Sequence, residues 1–474
     1  MTDHFKFYID GQWVDPVDPK PFDVINPATE GVCGRIALGS AADVDRAVTA
    51  ARKAFEIFSQ TTREERLALI GRVLDVYKRR AQDVSDAMTL EMGAPRAFAM
   101  EWQTGSGTAH LEAIIEVLKT YEFERLQGST LVVHEGIGVV GMITPWNWPI
   151  NQIVCKVAPA LAAGCTMVLK PSEIAPLSAI VFAEIMHEAG VPKGVFNMVQ
   201  GDGPTVGEAI SRHPGIDMVS FTGSTRGGIA VAKGAADTVK RVHQELGGNS
   251  ANILLDDVDF ESAVTNGIAG CYLNSGESCD SPQRMLVPHH RMNEVMAIAK
   301  RAAESYVLGD PNDPKTTLGP LISKPHWEKV QALIKMGIED GATLVTGGLG
   351  LPEHLNRGYF AKPTVFGNVT RAMRIARQEI FGMTLMIMGY GSVEEAIEIA
   401  NDTEYGLAGY VQSADIEKAR AVARKLRVGA VQINYPAFDP FSAFGGYKQS
   451  GNGREYGAFG LHDYLETKCL IGYK

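Results

Sequence analysis

From Gly138 onward the chain alternates short β-rich runs with helical patterns, and this alternation constrains the fold more than any other feature of its 474 residues. The runs Val139–Thr144, Thr166–Lys170, Val195–Val199, Met218–Phe221 and Ala251–Leu255 are separated by stretches such as Ser178–Ala189 and Gly227–Leu246, which read as helices. Successive βαβ units of this kind build a parallel sheet whose ligands sit at the carboxyl ends of the strands. A second α/β series follows, with helices at Lys324–Gly341, Ser392–Asn401 and Ala414–Leu426 and strands at Ala342–Val345 and Gly429–Asn434. Ahead of both series lie helical segments, Ser40–Ser59 and Thr62–Lys78, the latter opened by the capping-box pattern Thr62-Arg63-Glu64-Glu65. Ser129–His134 reads as a short exposed strand with a counterpart at Tyr464–Tyr473, an arrangement suited to a small accessory sheet used for association. At roughly 150 residues per domain the length suggests about three domains.

Composition narrows the partners. A net charge of −10 argues against nucleic acid or an anionic membrane surface. The longest quiet apolar stretch, Val157–Leu169, is far short of the ~20 residues that span a bilayer and reads as buried helix plus strand. Met1–Glu30 carries no signal-like apolar run, so a cytoplasmic location is expected. The six cysteines are dispersed, without C-x-x-C or zinc spacing, so neither a disulfide framework nor a metal site is expected.

Five segments point to chemistry. Val195–Gly207 is a strand, a glycine-rich turn and a helix start; Phe221-Thr222-Gly223-Ser224-Thr225 repeats that pattern on the next unit. Each turn alone is most simply structural, but two on consecutive βαβ units favour a dinucleotide at helix N-termini. Lys170-Pro171-Ser172-Glu173 puts a cation and a carboxylate at a strand's carboxyl end, where an acid can accept hydrogen bonds from a ribose diol. Cys279, in the small polar stretch Asn274–Cys279, is set apart from Cys155, Cys165 and Cys469 in apolar surroundings, and an exposed thiolate is a strong nucleophile. Glu245-Leu246-Gly247-Gly248 reads as the end of a long helix, its carboxylate free to move beside two glycines and act as a base.

Together these segments resemble the NAD(P)-dependent aldehyde dehydrogenase superfamily nearly end to end, from Ile25-Asn26-Pro27-Ala28-Thr29 to Thr467. The motifs, in order, are Thr144–Pro149 (TPWNWP), Lys170–Glu173 (KPSE), Gly201–Gly207 (GDGPTVG), Phe221–Thr225 (FTGST), Glu245–Gly248 (ELGG), Asn274–Cys279 (N-x-G-x-x-C), Glu379–Gly382 (EIFG) and Gly445–Glu455 (GGYKQSGNGRE). The resemblance implies an α/β fold with a Rossmann-like NAD-binding domain (1–120 and 139–247), an α/β catalytic domain (248–446) and a bridging sheet for oligomerisation (121–138 and 460–474). It implies a small-molecule aldehyde as substrate and a homodimer or homotetramer as the assembly. Cys279 would be the nucleophile, Asn147 with the Cys279 N–H the oxyanion hole, and Glu245 the base that activates water for thioester hydrolysis. The cofactor would meet Ile143, Trp146, Lys170, Glu173, Gly203, Gly207, Ser224, Leu246, Glu379 and Phe381. Glu173 favours NAD over NADP by charge, with Lys170 leaving NADP possible. The aldehyde channel would be lined by Trp148, Asn151, Cys155, Leu273, Phe438 and Phe444, several of them apolar, which favours a hydrophobic aldehyde.

The sequence departs from the family near the chemistry. Glu277 stands where Gln is general, Asp280 where a small or neutral residue is usual, and Met383 and Ala443 replace prolines. Two carboxylates flanking Cys279 would oppose thiolate formation. That leaves two alternatives to an NAD-dependent aldehyde dehydrogenase: a catalytically impaired NAD-binding homologue, or a CoA-acylating semialdehyde dehydrogenase, against which Glu245 argues.

Overall fold

The computed structural model describes residues 2–474. Five short, largely buried runs pair in parallel in the order Arg241–Glu245, Met218–Thr222, Val139–Ile143, Thr166–Lys170, Phe196–Met198. Antiparallel strands close both edges, Gly451–Asn452 on one side and Phe7–Ile9 with Gln12–Val14 on the other. In this doubly wound order the chain reverses direction beside Val139–Ile143, so a crevice opens between its carboxyl end and that of Met218–Thr222. Helix Pro149–Ala163 is buried along its whole length, which explains why the apolar run from Val157 to Leu169 resolves into this helix and the strand Thr166–Lys170. Thr62 caps the helix Arg63–Arg79 with the expected reciprocal pair, its hydroxyl and backbone N–H both engaged with Glu65.

The stretch from Gly227 to Leu246 departs from the sequence expectation of one long helix. The helix is Thr225–Ala235; Val239 takes a left-handed backbone (φ 54°), and Arg241–Glu245 is a strand paired with Met218–Thr222. Five registered pairs to a central strand outweigh the weak helical periodicity of this stretch. Glu245 therefore ends a strand, fixed by its ladder, and not a mobile helix terminus.

The second sheet has seven strands in the order Thr343–Thr346, Thr364–Val369, Thr384–Tyr390, Arg284–Pro288, Ala251–Leu254, Ala408–Gln412, Ala430–Ile433, all parallel except the first. Its helices include Lys324–Glu339, Val393–Asn401 and Ile416–Ala423, the last shorter at both ends than its sequence pattern. A separate antiparallel sheet joins Glu124–Gln127, Thr130–Gly136 and Leu465–Leu470, with both outer strands largely exposed. Cys469, on one of those strands, is exposed and not in the apolar setting its neighbours suggest.

Between the second sheet and this last strand the chain returns to the first sheet through Gly451–Asn452 and the helix Gly457–Asp463. The return is held by a buried ion pair between Lys156 on helix Pro149–Ala163 and Glu455, with the Lys156 ammonium also donating to Thr222 Oγ1 at 2.8 Å. Removing one member leaves an uncompensated buried charge. Glu455→Leu should therefore lower stability by about 3–5 kcal/mol, and Lys156→Met with Glu455→Leu should recover much of the loss. Urea unfolding of the three proteins checks this, and a double variant no more stable than the single one contradicts it.

Candidate active site

Cys279 lies on the loop between helix Phe260–Tyr272 and strand Arg284–Pro288. The loop is bent by consecutive left-handed residues, Asn274 (φ 54°), Ser275 (φ 56°) and Gly276 (φ 75°). Such backbone costs on the order of 1–3 kcal/mol per non-glycine residue and persists only where its surroundings impose it. Here Asn274 Nδ2 donates to Asn147 O at 2.8 Å and Glu277 O at 3.2 Å, and Ser275 Oγ donates to Gly319 O at 3.2 Å. Gln103, which no sequence motif marks, donates from Nε2 to Asn147 O (3.0 Å) and Asn274 Oδ1 (3.1 Å), tying the TPWNWP segment to the cysteine loop. Asn147 Nδ2 donates to Glu277 O at 3.0 Å, and an amide nitrogen carries a second hydrogen for an incoming oxygen.

The thiol is half-buried and protonated at neutral pH, unlike the exposed thiolate expected from its polar neighbours. Burial, followed by the charges of Asp280, Glu245 and Glu379, pushes it well above the usual thiol range. Glu277 is not part of that repulsion. Its Oε1 accepts from Ile322 N at 2.9 Å and lies 3.5 Å from His326 Nε2, and burial raises it well above the ordinary carboxylate value. The expectation of two carboxylates acting against Cys279 is thus corrected to one from the loop itself, Asp280, since Glu277 is turned to Ile322 N and His326.

Glu245 is buried, and neither of its oxygens has a hydrogen-bond partner among the described residues. Burial raises it to about 7, opposed by the nearby His243 and Lys156 cations and reinforced by Glu455. The two glycines that follow serve close packing rather than mobility. An added Cβ at Gly247 would meet Glu379 Oε2 at 2.7 Å, one at Gly248 would run into the Cys279 carbonyl, and Gly248 N donates to Glu379 Oε1 at 2.7 Å.

The crevice at the carboxyl ends of the first sheet collects the residues expected for a cofactor. Lys170 Nζ donates to Pro171 O (2.8 Å) and Glu173 Oε2 (3.2 Å), holding the Glu173 carboxylate at the rim. A Cβ at Gly203 would meet nothing within 4 Å, an open face, while one at Gly207 would lie 3.9 Å from both Ile143 and Lys170. Asp202 Oδ1 already accepts Thr205 N (2.7 Å), so it caps the first turn, whereas the neutral Ser224 caps Thr225–Ala235 through Gly227 N (3.2 Å). Leu246 is buried against Gly228. At the far end Trp146 meets Phe381 edge-on at 5.5 Å, and both pack on His326, whose Nε2 donates to Phe381 O at 2.7 Å. An open glycine face, a carboxylate for a diol and an uncharged helix cap are what a dinucleotide requires.

Beside the cysteine loop, Trp148 Nε1 donates to Ser278 Oγ at 2.8 Å and its ring meets Phe98. Phe438 and Phe444 gather around Tyr456, Phe444 stacked on it at 5.1 Å, with His110 4.4 Å away on the other side. Asn151 joins the group, its Oδ1 accepting from His110 Nε2 (2.7 Å) and its Nδ2 donating to the Tyr456 hydroxyl (3.3 Å). His110 and Tyr456 carry no motif and were not legible as site residues. Cys155 is buried with its thiol donating to Glu455 Oε2 at 3.3 Å, and Leu273 borders a neighbouring cavity of about 160 Å³ with Phe98 and Tyr272. No group of His, Cys, Asp or Glu among the described residues is arranged to hold a metal ion.

Comparison with known proteins agrees with this geometry. The profile of the aldehyde dehydrogenase family matches residues 13–470. A 3-succinoylsemialdehyde-pyridine dehydrogenase of Pseudomonas sp. is 53% identical, the match covering 100% of both chains. A crystal structure of a cysteine-to-alanine variant of aldehyde dehydrogenase C from Pseudomonas syringae, with NAD+ and octanal, superimposes with a TM-score of 0.98 at 51% identity, covering 99% of this chain and 97% of that one. An aldehyde dehydrogenase from Bartonella henselae gives 0.98 at 46% identity over 99% and 100% of the two chains.

Because the thiolate is the reactive form and its pKa lies above the ordinary value of 9, iodoacetamide should label Cys279 slowly at neutral pH and rapidly only in alkali. Asp280→Asn removes the largest of the opposing charges and should move that rise to lower pH. Peptide-resolved mass spectrometry separates this site from the exposed Cys469; a labelling rate independent of pH contradicts the assignment.

Proposed function

The chain belongs to the aldehyde dehydrogenase family, and from that premise we propose that it oxidises an aldehyde to a carboxylic acid with NAD, using Cys279 as nucleophile and Glu245 as base. The observation that carries the assignment is the junction at Gly247–Gly248, where the strand ending in Glu245 meets the Cys279 carbonyl with no side chain between them. The thiol proton passes to Glu245, whose charge already reaches the thiol, as the sulfur adds to the aldehyde carbon. The resulting oxyanion is met by the Cys279 N–H and the second hydrogen of Asn147 Nδ2. Bound NAD supplies the hydride acceptor that turns this thiohemiacetal into a thioester. Once Glu245 has released that proton to solvent, it takes a proton from water as the hydroxide attacks the thioester; the Cys279 sulfur leaves as thiolate and recovers its proton from Glu245.

NAD is the cofactor supported by the neighbours solved with it. In this chain Lys170 and Glu173 would hold the adenosine ribose, with the Glu173 carboxylate repelling a 2′-phosphate; Ser224 and the Gly203–Gly207 turn would face the pyrophosphate. Ile143, Leu246 and Trp146 would form the wall, and Glu379 and Phe381 the nicotinamide end. Trp148, Phe438, Phe444 and Tyr456 favour an aldehyde with an apolar or aromatic tail, and Asn151 and His110 offer a polar contact along it. Octanal in one neighbour and the pyridine semialdehyde in the name of a relative are both of this kind. The exposed outer strands Glu124–Gln127 and Leu465–Leu470 support assembly as a homodimer or homotetramer; a cytoplasmic location is part of the same reading, and no helix among the described residues is long and apolar enough to cross a membrane.

Neither alternative gains support. The charges acting on Cys279 come from Asp280, Glu245 and Glu379 and not from Glu277, which weakens the argument for an impaired site, and the presence of Glu245 speaks against transfer to CoA. Purified protein with NAD should form NADH from octanal, with kcat/KM higher than for acetaldehyde. Cys279→Ala should abolish this. Glu245→Gln should lower turnover at least about 100-fold. For the wild type, turnover should rise as pH climbs through about 7, where Glu245 loses its proton. No NADH from any aldehyde, with NAD binding intact by fluorescence quenching, overturns the proposal.

A further inference from the structure

Beside Glu245 lies a histidine and aspartate pair that the reaction outlined above does not use. His243 precedes Glu245 by two residues, so both side chains leave the same face of the strand Arg241–Glu245. Its Nε2 lies 3.4 Å from Glu245 Oε1 and its Nδ1 lies 2.6 Å from Asp463 Oδ2. Asp463 ends the helix Gly457–Asp463, and Arg454 N donates to its Oδ2 at 2.8 Å, so the carboxylate is fixed in place. His243 and Glu245 are almost fully buried, while the Asp463 side chain is 25% exposed.

We propose that the His243 imidazolium, anchored by Asp463, is a positioning residue for the reaction: its positive charge keeps the buried Glu245 ionised and therefore competent as a base at neutral pH. This rests on the role of Glu245 proposed above and extends it to two residues that no motif marks. The electrostatic reasoning is short. A carboxylate removed from water and facing a second one, Glu455, favours its protonated form. Lys156 faces Glu245 as well, but its ammonium is engaged by Glu455 and Thr222, so that charge is largely cancelled before it reaches Glu245. Cys155 and Cys279, the other titratable groups nearby, are neutral thiols. His243 is the cation that opposes the trend most strongly. Burial alone would discharge the imidazole, but Asp463 first and Glu245 second raise it to about 9. Glu245 ionises near 7, so a carboxylate and imidazolium pair exists between about 7 and about 9.

The test is a pH profile. His243→Gln removes the charge and keeps a polar side chain, so Glu245 should ionise at higher pH. The acid limb of kcat should move up by about one pH unit, a loss of about tenfold in turnover below it, while on the alkaline plateau both kcat and the first-turnover formation of NADH stay within about threefold. Asp463→Asn, on a partly exposed residue that should not disturb folding, should move the limb in the same direction by less, and Asp463→Glu should restore it. An acid limb at the wild-type pH in either His243→Gln or Asp463→Asn overturns the inference. Glu245→Gln is run in parallel: if it still turns over like wild type, the base itself is misassigned, a different failure from an unmoved limb in a protein that needs Glu245.

Discussion

The close approach of two backbones at Gly247–Gly248 and Cys279 is the contact on which the remaining geometry depends. The first sheet ends in Glu245 and the loop of Cys279 precedes a strand of the second sheet, so base and nucleophile come from different sheets and meet only if the loops touch. Any side chain at Gly248 would occupy the volume of the Cys279 carbonyl, and one at Gly247 that of the Glu379 carboxylate. The hydrogen bond from Gly248 N to Glu379 Oε1 then adds a third segment, so a residue expected at the nicotinamide end also sets the spacing between the sheets. Gln103 and Asn274 do the same on the other side by holding the Asn147 carbonyl.

Burial does much of the electrostatic work in this site, and it acts differently on each acid. Glu277 is buried with one backbone N–H and near a neutral imidazole, so it is pushed toward its uncharged form, in which it resembles the Gln usual in the family. Glu455 is buried beside Lys156 and is held below the ordinary carboxylate range. Glu245 lies between these limits because opposing neighbours nearly balance around it, and a carboxyl balanced near neutrality is suited to taking and releasing a proton. Three glutamates with the same intrinsic chemistry thus differ in how firmly they hold a proton, according to what surrounds them.

Much of the fold was legible from local pattern. The parallel strands, the capping box at Thr62 and the separation of Val157–Leu169 into helix and strand follow from residue periodicity, which tertiary contacts reinforce. The error at Gly227–Leu246 arose because Arg241–Glu245 has no strong strand signal of its own and is held in the sheet by its pairing with Met218–Thr222. The motif residues Cys279, Asn147 and Glu245 were identifiable because each sits in a recognisable string. His110, Tyr456, Gln103, His243 and Asp463 were not, because each acts through a partner between 41 and 305 positions away or through a neighbour that local sequence does not distinguish.

The sequence by itself determined the order of elements, the family resemblance and the residue types available for chemistry, because these depend on periodicity and on short strings. Only the tertiary structure decided which of those residues are charged. Protonation depends on desolvation and on neighbours brought from distant parts of the chain, so the acids at 245, 277, 280 and 455 could be counted in advance but not assigned a state. The same holds for Cys279: its string marks it as the nucleophile, while its half-buried setting among Asp280, Glu245 and Glu379 makes it a thiol that must lose its proton during the reaction.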